Sequence, residues 1–326
     1  IELVDKDRLQ VVNFEKLGFS NSSKNDEFGF WPMIIGGFFL YASYYGTDQT
    51  QSQRLLSSKN MVTIKKLLFA NAIFRFPITL TYCIMGLVIG TLFYQDTSFQ
   101  EMIASVYSSN INFLEGKKAD LMVPVFIIHY LPSGIIGILI VAIMSAAMSS
   151  LSSTINSLSA VTMEDFVKRF DNNISDKKYI NLSRIISVFW GILCLFIALF
   201  TGKIEGTVIE VINKIGSVFY GPIIGTFVLA IMTKKTHSIG ANIGILAGVF
   251  FNIFLWLSVP DIFWFWWNAI GFIITFTTGV LTSYFIKGER NQILKVEYYA
   301  EAKDVLKLIL YFFIILIFAL CFPLIF

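Results

Sequence analysis

The chain has 326 residues, of which 56% are hydrophobic and only 14% charged, and its net charge is +3. Soluble domains carry roughly 25% charged residues, so this chain cannot cover itself with a water-facing surface. The small, dispersed positive charge gives no nucleic-acid footprint. Cys83, Cys194 and Cys321 lie inside apolar runs, so neither a disulfide framework nor a thiolate metal site is expected.

Apolar stretches long enough to cross a hydrocarbon core of about 30 Å recur along the chain. They predict eight transmembrane helices, near residues 31–47, 67–94, 133–160, 180–201, 208–232, 237–257, 264–286 and 304–326. The predicted fold class is therefore all-α, a polytopic membrane helix bundle. Residues 1–30 are interpreted as an external loop, 31–257 as the main helical region and 258–326 as two C-terminal helices. Since the chain opens at Ile1 in a polar stretch, we expect it to be a fragment of a longer protein.

The positively charged residues orient these spans, because loops rich in lysine and arginine are retained in the cytoplasm. One set of alternate loops holds sixteen lysines and arginines and the other set holds seven. Both ends of the chain are then extracytoplasmic. The external segment 95–132 is long enough to contain a short surface helix.

The first span begins with Gly36 and Gly37 and ends in the polar run YGTDQTQSQR. Two interpretations are open: local unwinding that exposes backbone groups to a cavity, or close helix packing through glycine. Asp48, Gln49 and Arg54 form either a cytoplasmic polar cluster or an ordinary solvated loop.

The second span carries Arg75 about two turns from its start. An ionisable residue within a span costs about 2.5 to 3.5 kcal/mol on insertion scales, so it is expected to face protein or water. Arg75 could equally extend its long side chain to the inner membrane surface.

The third span, VAIMSAAMSSLSSTINSLSAVTM over residues 141–163, is unusually rich in hydroxyl groups. At 100° per residue, small and hydroxyl side chains fall on one stripe of the helix: Ala146, Ser149, Ser150, Ser153 and Ser157. Such a face either packs closely, with hydroxyls bonded to their own backbone, or lines a site where oxygens replace the water shell of a cation.

The span 208–232 contains Gly216, Gly221, Pro222 and Gly225, which predict a bent or interrupted helix. Glu210 and Lys214 lie four residues apart on it and could form an ion pair. The alternative is that Lys214 recognises a carboxylate substrate.

Three of these motifs resemble the sodium/solute symporter family. AAMSSLSSTINS, followed by MED, resembles its eighth core helix; YYGTDQ, followed by QR, is similar to its sixth; and the 208–232 span resembles its tenth. The resemblance implies the second part of a leucine-transporter-type inverted-repeat core, namely helices six to ten plus three further helices. Diffuse similarity in the stretches GPIIGTFVLAIMTK, ANIGILAG and FWWNAIG is closer to the monocarboxylate, multivitamin and iodide branch and its bacterial relatives than to proline transporters.

The resemblance also implies site residues. In the family, a carbonyl and two hydroxyls of the eighth core helix bind sodium, and the matching positions are Ala146, Ser149 and Ser150. Some members bind an additional sodium ion, for which the matching hydroxyls are those of Ser149, Ser152 and Ser153.

Four further positions match substrate and gate residues of the family. The aromatic gate position corresponds to Tyr44, with Tyr45 beside it. A substrate-contacting amide of the sugar transporters corresponds to Tyr41, a departure from the sugar pattern. A substrate-contacting glutamine corresponds to Asn213, which keeps the amide chemistry. Asp48, Arg75, Glu210 and Lys214 are candidate coupling or structural charges.

The expected function is sodium-coupled symport of a small organic solute, such as a sugar or monocarboxylate, by alternating access. The alternative is a symporter-like membrane domain of a sensor. No enzyme activity is expected, since His129 and His237 lie far apart and no nucleophile or metalloprotease motif accompanies them. The expected partners are sodium as coupling ion, the solute, the bilayer and the missing N-terminal half, without nucleic acid or organic cofactor. We expect a bacterial plasma membrane, the inner membrane in a Gram-negative cell.

Overall fold

The computed structural model describes residues 12–19, 27–109, 118–171, 174–201, 207–233, 236–286 and 302–325. Within these ranges the regular structure is entirely helical, as the predicted fold class requires. The α-helices of eight or more residues are α1 (Phe30–Thr47), α2 (Gln49–Leu56), α3 (Met61–Gln95), α4 (Thr97–Ser109), α5 (Met122–Tyr130), α6 (Ser133–Val161), α7 (Asp176–Thr201), α8 (Val208–Met232), α9 (Ser238–Ser258), α10 (Phe265–Phe285) and α11 (Ala302–Ile325). A π turn, Thr162–Val167, directly extends α6.

Seven of the described helical segments are long and apolar enough to cross a membrane: α3, α6 with its extension to Phe170, and α7 to α11. The first predicted span forms α1 but is not among these seven. Its 18 residues include three tyrosines, Ser43 and Thr47, which dilute the apolar character. The segment 95–132 contains two shorter helices, α4 and α5, where the sequence predicted one short helix.

The chain divides into two compact units, one formed by Ile1–Thr79 with Ile212–Phe326 and the other by Leu80–Val211. The boundaries fall inside the long helices α3 and α8. Each unit is described by itself below.

In the first unit, α8, α9 and α10 pack around a core of Val218, Leu255 and Trp267. Glycines allow the close approach of α9 and α10, since a Cβ at Gly244 would lie 2.6 Å from the carbonyl oxygen of Thr275. A Cβ at Gly248 would lie 2.0 Å from the Thr275 hydroxyl. No side chain fits at these positions without moving the helices apart.

The polar segment before α1 lies against the start of α10. Leu17 accepts a hydrogen bond through its carbonyl from the Trp266 indole at 2.8 Å, and the carbonyl of Gly18 accepts from the amide of Phe263 at 2.9 Å. Gly18 has a φ of +74°, in the region that favours glycine. The remainder of the predicted external loop, residues 1–11 and 20–26, lies outside the described residues.

In the second unit, the end of α3 packs with α4 and α5 around Ile89, Phe99, Ile103 and Val125. The serine helix α6 packs on α7 near its C-terminal end. There the Ser159 hydroxyl donates to the carbonyl of Ser183 at 3.1 Å. One turn further, the Trp190 indole donates to the Thr162 hydroxyl at 2.9 Å, at the first residue of the π turn. These contacts fix the C-terminal part of the predicted serine span.

Candidate ion and substrate site

The predicted serine stripe on α6 divides into a packed part and an open part. Ser157 is 4% exposed, whereas Ala146, Ser149 and Ser150 lie on an exposed surface of the helix. Ser153 is half-buried and its hydroxyl donates to the carbonyl of Ser149 at 3.0 Å. The interpretation of hydroxyls bonded to their own backbone therefore applies to Ser153.

The open part of this stripe carries neutral oxygen atoms of the kind that can bind a monovalent cation. No hydrogen bond is found for the hydroxyls of Ser149 and Ser150 in the described part of the chain, so both can accept a cation. Ser152, which the resemblance adds for a further ion, is also exposed. Within the described residues, no group of three or more His, Cys, Asp or Glu side chains could hold a metal ion. Neutral hydroxyl and carbonyl oxygens, in contrast, suit a monovalent cation that must also be released.

Helix α1 runs without interruption past Gly36 and Gly37 and ends at Thr47, and the backbone of the next residue, Asp48, is extended with φ −70° and ψ 125°. A Cβ at Gly36 would lie 2.2 Å from the carbonyl oxygen of Phe265 on α10, so this glycine serves close packing. Local unwinding at Gly36 and Gly37, the other interpretation, does not occur. The break lies eleven residues further on.

Asp48 shapes this break by capping the next helix. Its carboxylate accepts a hydrogen bond from the backbone amide of Gln51 at 2.9 Å, which satisfies a free donor in the first turn of α2. Gln51 also donates through its side-chain amide to the Tyr44 hydroxyl at 2.6 Å. The hydroxyl of the gate candidate Tyr44 is thereby hydrogen-bonded to the first turn of α2, which Asp48 caps.

Tyr41 and Tyr45, one turn apart on α1, share a partner on α3. The guanidinium group of Arg75 donates to the Tyr45 hydroxyl and to the Tyr41 hydroxyl, each at 3.1 Å. Its central carbon lies 4.7 Å from the centre of the Tyr41 ring. Arg75 therefore joins the aromatic residues that the resemblance placed at the substrate and gate positions.

Sequence reasoning missed Asn71, one turn before Arg75 on α3. Its side-chain oxygen accepts from the Tyr45 hydroxyl at 2.8 Å. The spacing of Asn71 and Arg75 at i and i+4 places both on the same helix face. That spacing was the available signal, although nothing in the sequence indicated which helix would face it.

Helix α8 is continuous from Val208 to Met232 with Pro222 inside it, so the interrupted helix is not observed. Proline has no amide hydrogen, which leaves the carbonyl four residues earlier, that of Val218, without its helical partner. Asn252 of α9 supplies the missing donor, with its side-chain nitrogen 3.0 Å from that carbonyl oxygen. This buried asparagine was also missed by sequence reasoning.

A second buried asparagine, Asn268 of α10, donates to the Ser217 hydroxyl at 3.0 Å. Among the described residues, no hydrogen-bond partner is found for the side-chain oxygens of Asn252 and Asn268. Asn213, the predicted substrate-contacting amide, lies half-buried four residues before Ser217 on α8.

The two charges at the start of α8 have separate surroundings. Glu210 accepts a hydrogen bond from the amide of Thr207 at 2.9 Å, and the Thr207 hydroxyl lies 3.4 Å from the amide of Glu210. This reciprocal arrangement is a capping box, whose sequence signature is Thr-x-x-Glu. The Lys214 ammonium group lies 5.6 Å from the Trp256 ring and 6.0 Å from the Trp267 ring. In the described part of the chain, Glu210 therefore contacts Thr207 and Lys214 contacts the two tryptophan rings. The predicted ion pair between Glu210 and Lys214 is not observed there.

Outside the spans, Asp96 lies between α3 and α4. The Tyr130 hydroxyl donates to its carboxylate, and the Ser98 hydroxyl does so at 2.7 Å. These hydrogen bonds, the one from Tyr130 above all, lower the pKa of Asp96 to about 2. The same contact raises the pKa of Tyr130.

The model of the sodium:solute symporter family matches residues 18–248. The chain belongs to the sodium:solute symporter family. Human sodium-coupled monocarboxylate transporter 1 is 29% identical to this symporter-family chain over 257 residues, which are 78% of the chain and 39% of the relative. The sodium-dependent multivitamin transporter of Oryctolagus cuniculus is 30% identical over 235 residues, 72% of the chain and 35% of the relative.

A solved structure shares the fold of this symporter-family chain. It is the substrate-bound, outward-open state of a Na+-coupled sialic acid symporter, with a TM-score of 0.61 and 22% sequence identity. The match covers 84% of the chain and 52% of the solved chain. The family is one of transporters, and the chain spans between about a third and a half of the length of these relatives.

Proposed function

We propose that this chain is part of a transporter that uses the sodium gradient to move a small organic solute across the plasma membrane by alternating access. The observation that carries the proposal is the family match over residues 18–248, within which Ser149 and Ser150 present exposed hydroxyls on an apolar helix. The alternating excess of positive charge supports an orientation with both ends of the chain outside the cytoplasm.

The sodium ion is held, in this proposal, by the carbonyl of Ala146 and the hydroxyls of Ser149 and Ser150. Ser152 and Ser153, with Ser149, are the candidates for an additional ion. One sodium moving down about 100 mV contributes about 2.3 kcal/mol, and a tenfold concentration gradient adds about 1.4 kcal/mol. Together these suffice for accumulation of one solute by several hundredfold if coupling is tight.

On the substrate side, Tyr44 is the inner gate and the tyrosines beside it, with Asn213, line the path of the solute. Binding of sodium from outside stabilises the outward-open state, to which solute then binds near the midplane. A sugar, a monocarboxylate or a similar small solute fits this proposal.

The test is sodium-dependent uptake by the complete gene product in proteoliposomes. Ser149→Ala and Ser150→Ala should each raise the sodium concentration for half-maximal uptake by about tenfold, since each removes one oxygen ligand of the ion. Ser187→Ala is the matched control, because Ser187 lies on the neighbouring helix α7 and not on the proposed ion-binding stripe. Its hydroxyl donates to the carbonyl of Ser183 at 2.9 Å. Unchanged sodium dependence in both serine variants would contradict the ion site and leave helix packing as the role of these serines.

A further inference from the structure

Arg75 places a positive charge within the membrane-spanning helix α3, and its contacts are with neutral groups. In the described part of the chain, ion pairs are formed by Lys65, Lys168, Lys178 and Lys307, and none by Arg75. Its partners are two tyrosine hydroxyls and the face of the Tyr41 ring. Arg75 is exposed on α3, and a guanidinium group within a span whose described partners are all neutral attracts an anion.

The hydrogen bonds of this cluster leave several donors available. The guanidinium group has five N–H donors, of which one goes to each tyrosine. The Tyr45 hydroxyl donates its proton to the side-chain oxygen of Asn71. The proton of the Tyr41 hydroxyl and the side-chain NH₂ of Asn71 are not used by any hydrogen bond that the structure gives. The cluster is therefore rich in donors and poor in acceptors.

We propose that Arg75, Tyr41 and Asn71 form a binding site for the carboxylate group of a small organic anion, which is the transported solute. This inference rests on the proposed function and names its substrate class. The planar guanidinium fork presents parallel donors that match the two oxygens of a carboxylate. Because the Tyr41 ring covers one face of the guanidinium group, the anion binds at its edge.

Two other kinds of solute match the cluster less well. A sugar hydroxyl is neutral, so it would leave the charge of Arg75 uncompensated within the span. A halide ion carries the charge but cannot accept two parallel hydrogen bonds in one plane. A carboxylate satisfies both the charge and the geometry.

The site lies next to the gate candidate. The Tyr44 ring meets the Tyr45 ring edge-on, with the ring centres 5.2 Å apart and an angle of 83° between the planes. Tyr45 in turn binds Arg75 and Asn71. A carboxylate that draws Arg75 toward itself thus acts on Tyr45 and, through it, on the position of Tyr44.

The experiment compares sodium-driven uptake of radiolabelled lactate, butyrate, lactamide and galactose by the complete gene product in proteoliposomes. Arg75→Gln should raise the KM for the transported carboxylate at least about 30-fold. Arg75→Lys keeps the charge but not the fork, and should raise it about tenfold. Tyr41→Phe should raise it about threefold to tenfold. Lys66→Gln is the matched control, an exposed cation on the same helix, and should leave KM unchanged.

Stabilisation of the purified variants by sodium alone, read as a shift in unfolding temperature, shows whether each variant is folded and still binds its coupling ion. If Arg75→Gln is not stabilised by sodium, the KM values of Arg75→Lys and Tyr41→Phe test the carboxylate site instead. An unchanged KM for carboxylate uptake in the folded variants overturns the inference but is compatible with sodium-coupled symport. Sodium-driven uptake of galactose or lactamide, with no uptake of lactate or butyrate, also overturns the inference and is also compatible with sodium-coupled symport. If no solute is taken up in a sodium-dependent way, the proposed function fails and the inference with it.

Discussion

The pairing of Pro222 with Asn252 predicts a specific coupling between two substitutions. Asn252 is fully buried, and its side-chain nitrogen donates to the carbonyl of Val218 at 3.0 Å and to that of Ser217 at 3.3 Å. The Val218 carbonyl depends on this donor because Pro222 cannot supply one. Replacing Pro222 by alanine restores a backbone amide at the position from which the helix itself would satisfy Val218.

The expected magnitude follows from these two hydrogen bonds. Interhelical hydrogen bonds within membranes contribute about 0.6 kcal/mol each on average, and a buried acceptor left without a partner costs about 1 to 3 kcal/mol. Asn252→Ala should therefore destabilise the protein by about 1 to 3 kcal/mol. In the Pro222→Ala background, the same substitution should cost about 1 kcal/mol less, because the Val218 carbonyl then keeps a helical donor.

The assay is equilibrium unfolding of the purified complete gene product in mixed micelles with increasing SDS, followed by tryptophan fluorescence. Trp256 and Trp267 lie in the same helix group and report on it. Asn242→Ala is the control, since Asn242 is an exposed asparagine on the same helix α9, and its effect should be additive with that of Pro222→Ala. Strict additivity of Asn252→Ala and Pro222→Ala would refute the reasoning.

Two further predictions concern packing and pH. Gly36→Ala should destabilise by at least about 2 kcal/mol, since its Cβ would lie 2.2 Å from the carbonyl oxygen of Phe265. The neighbouring Gly37→Ala, with its nearest atom at 3.8 Å, should be nearly neutral in the same unfolding assay, and equal effects would contradict the helix contact. Tyr130→Phe should raise the pKa of Asp96 from about 2 toward 3.8, measured by carboxyl ¹³C NMR titration. Because the pKa of Asp96 is lowered in the folded protein, its stabilising contribution is present above pH about 4 and is lost as the pH falls toward 2. The variant should therefore lose less stability over that window than the parent, and an unchanged pKa would exclude the Tyr130 hydrogen bond as the cause.

The helices of this chain could be located from the sequence because their apolar runs are long. The predicted span 208–232 corresponds to α8 over Val208–Met232, and 133–160 to α6 over Ser133–Val161. The burial of whole spans in lipid makes hydropathy a direct signal. The capping box of Thr207 and Glu210 also has a sequence signature, Thr-x-x-Glu, but Glu210 is equally compatible with an i,i+4 ion pair to Lys214.

Contacts between helices were harder to predict from the sequence than the helices themselves, because these contacts depend on which helix faces meet. Asn252 and Asn268 stand in apolar runs, and only the position of Pro222 on a neighbouring helix explains why Asn252 is needed. Likewise, the sequence around Gly36 is compatible with both local unwinding and close helix packing, and only the close approach to Phe265 decides for packing. Arg75 could be recognised as unusual from the sequence, whereas its partners Tyr41, Tyr45 and Asn71 required the structure.

The glycine contacts between α9 and α10 have a mechanical consequence. Sliding one helix past the other by a single residue, about 1.5 Å along the axis, would drive the side chain of Thr275 out of the space left by Gly248 and into the adjoining turn. The two helices are therefore expected to resist sliding past each other. A rearrangement of this unit would then take place at the ends of α9 and α10 rather than along their contact.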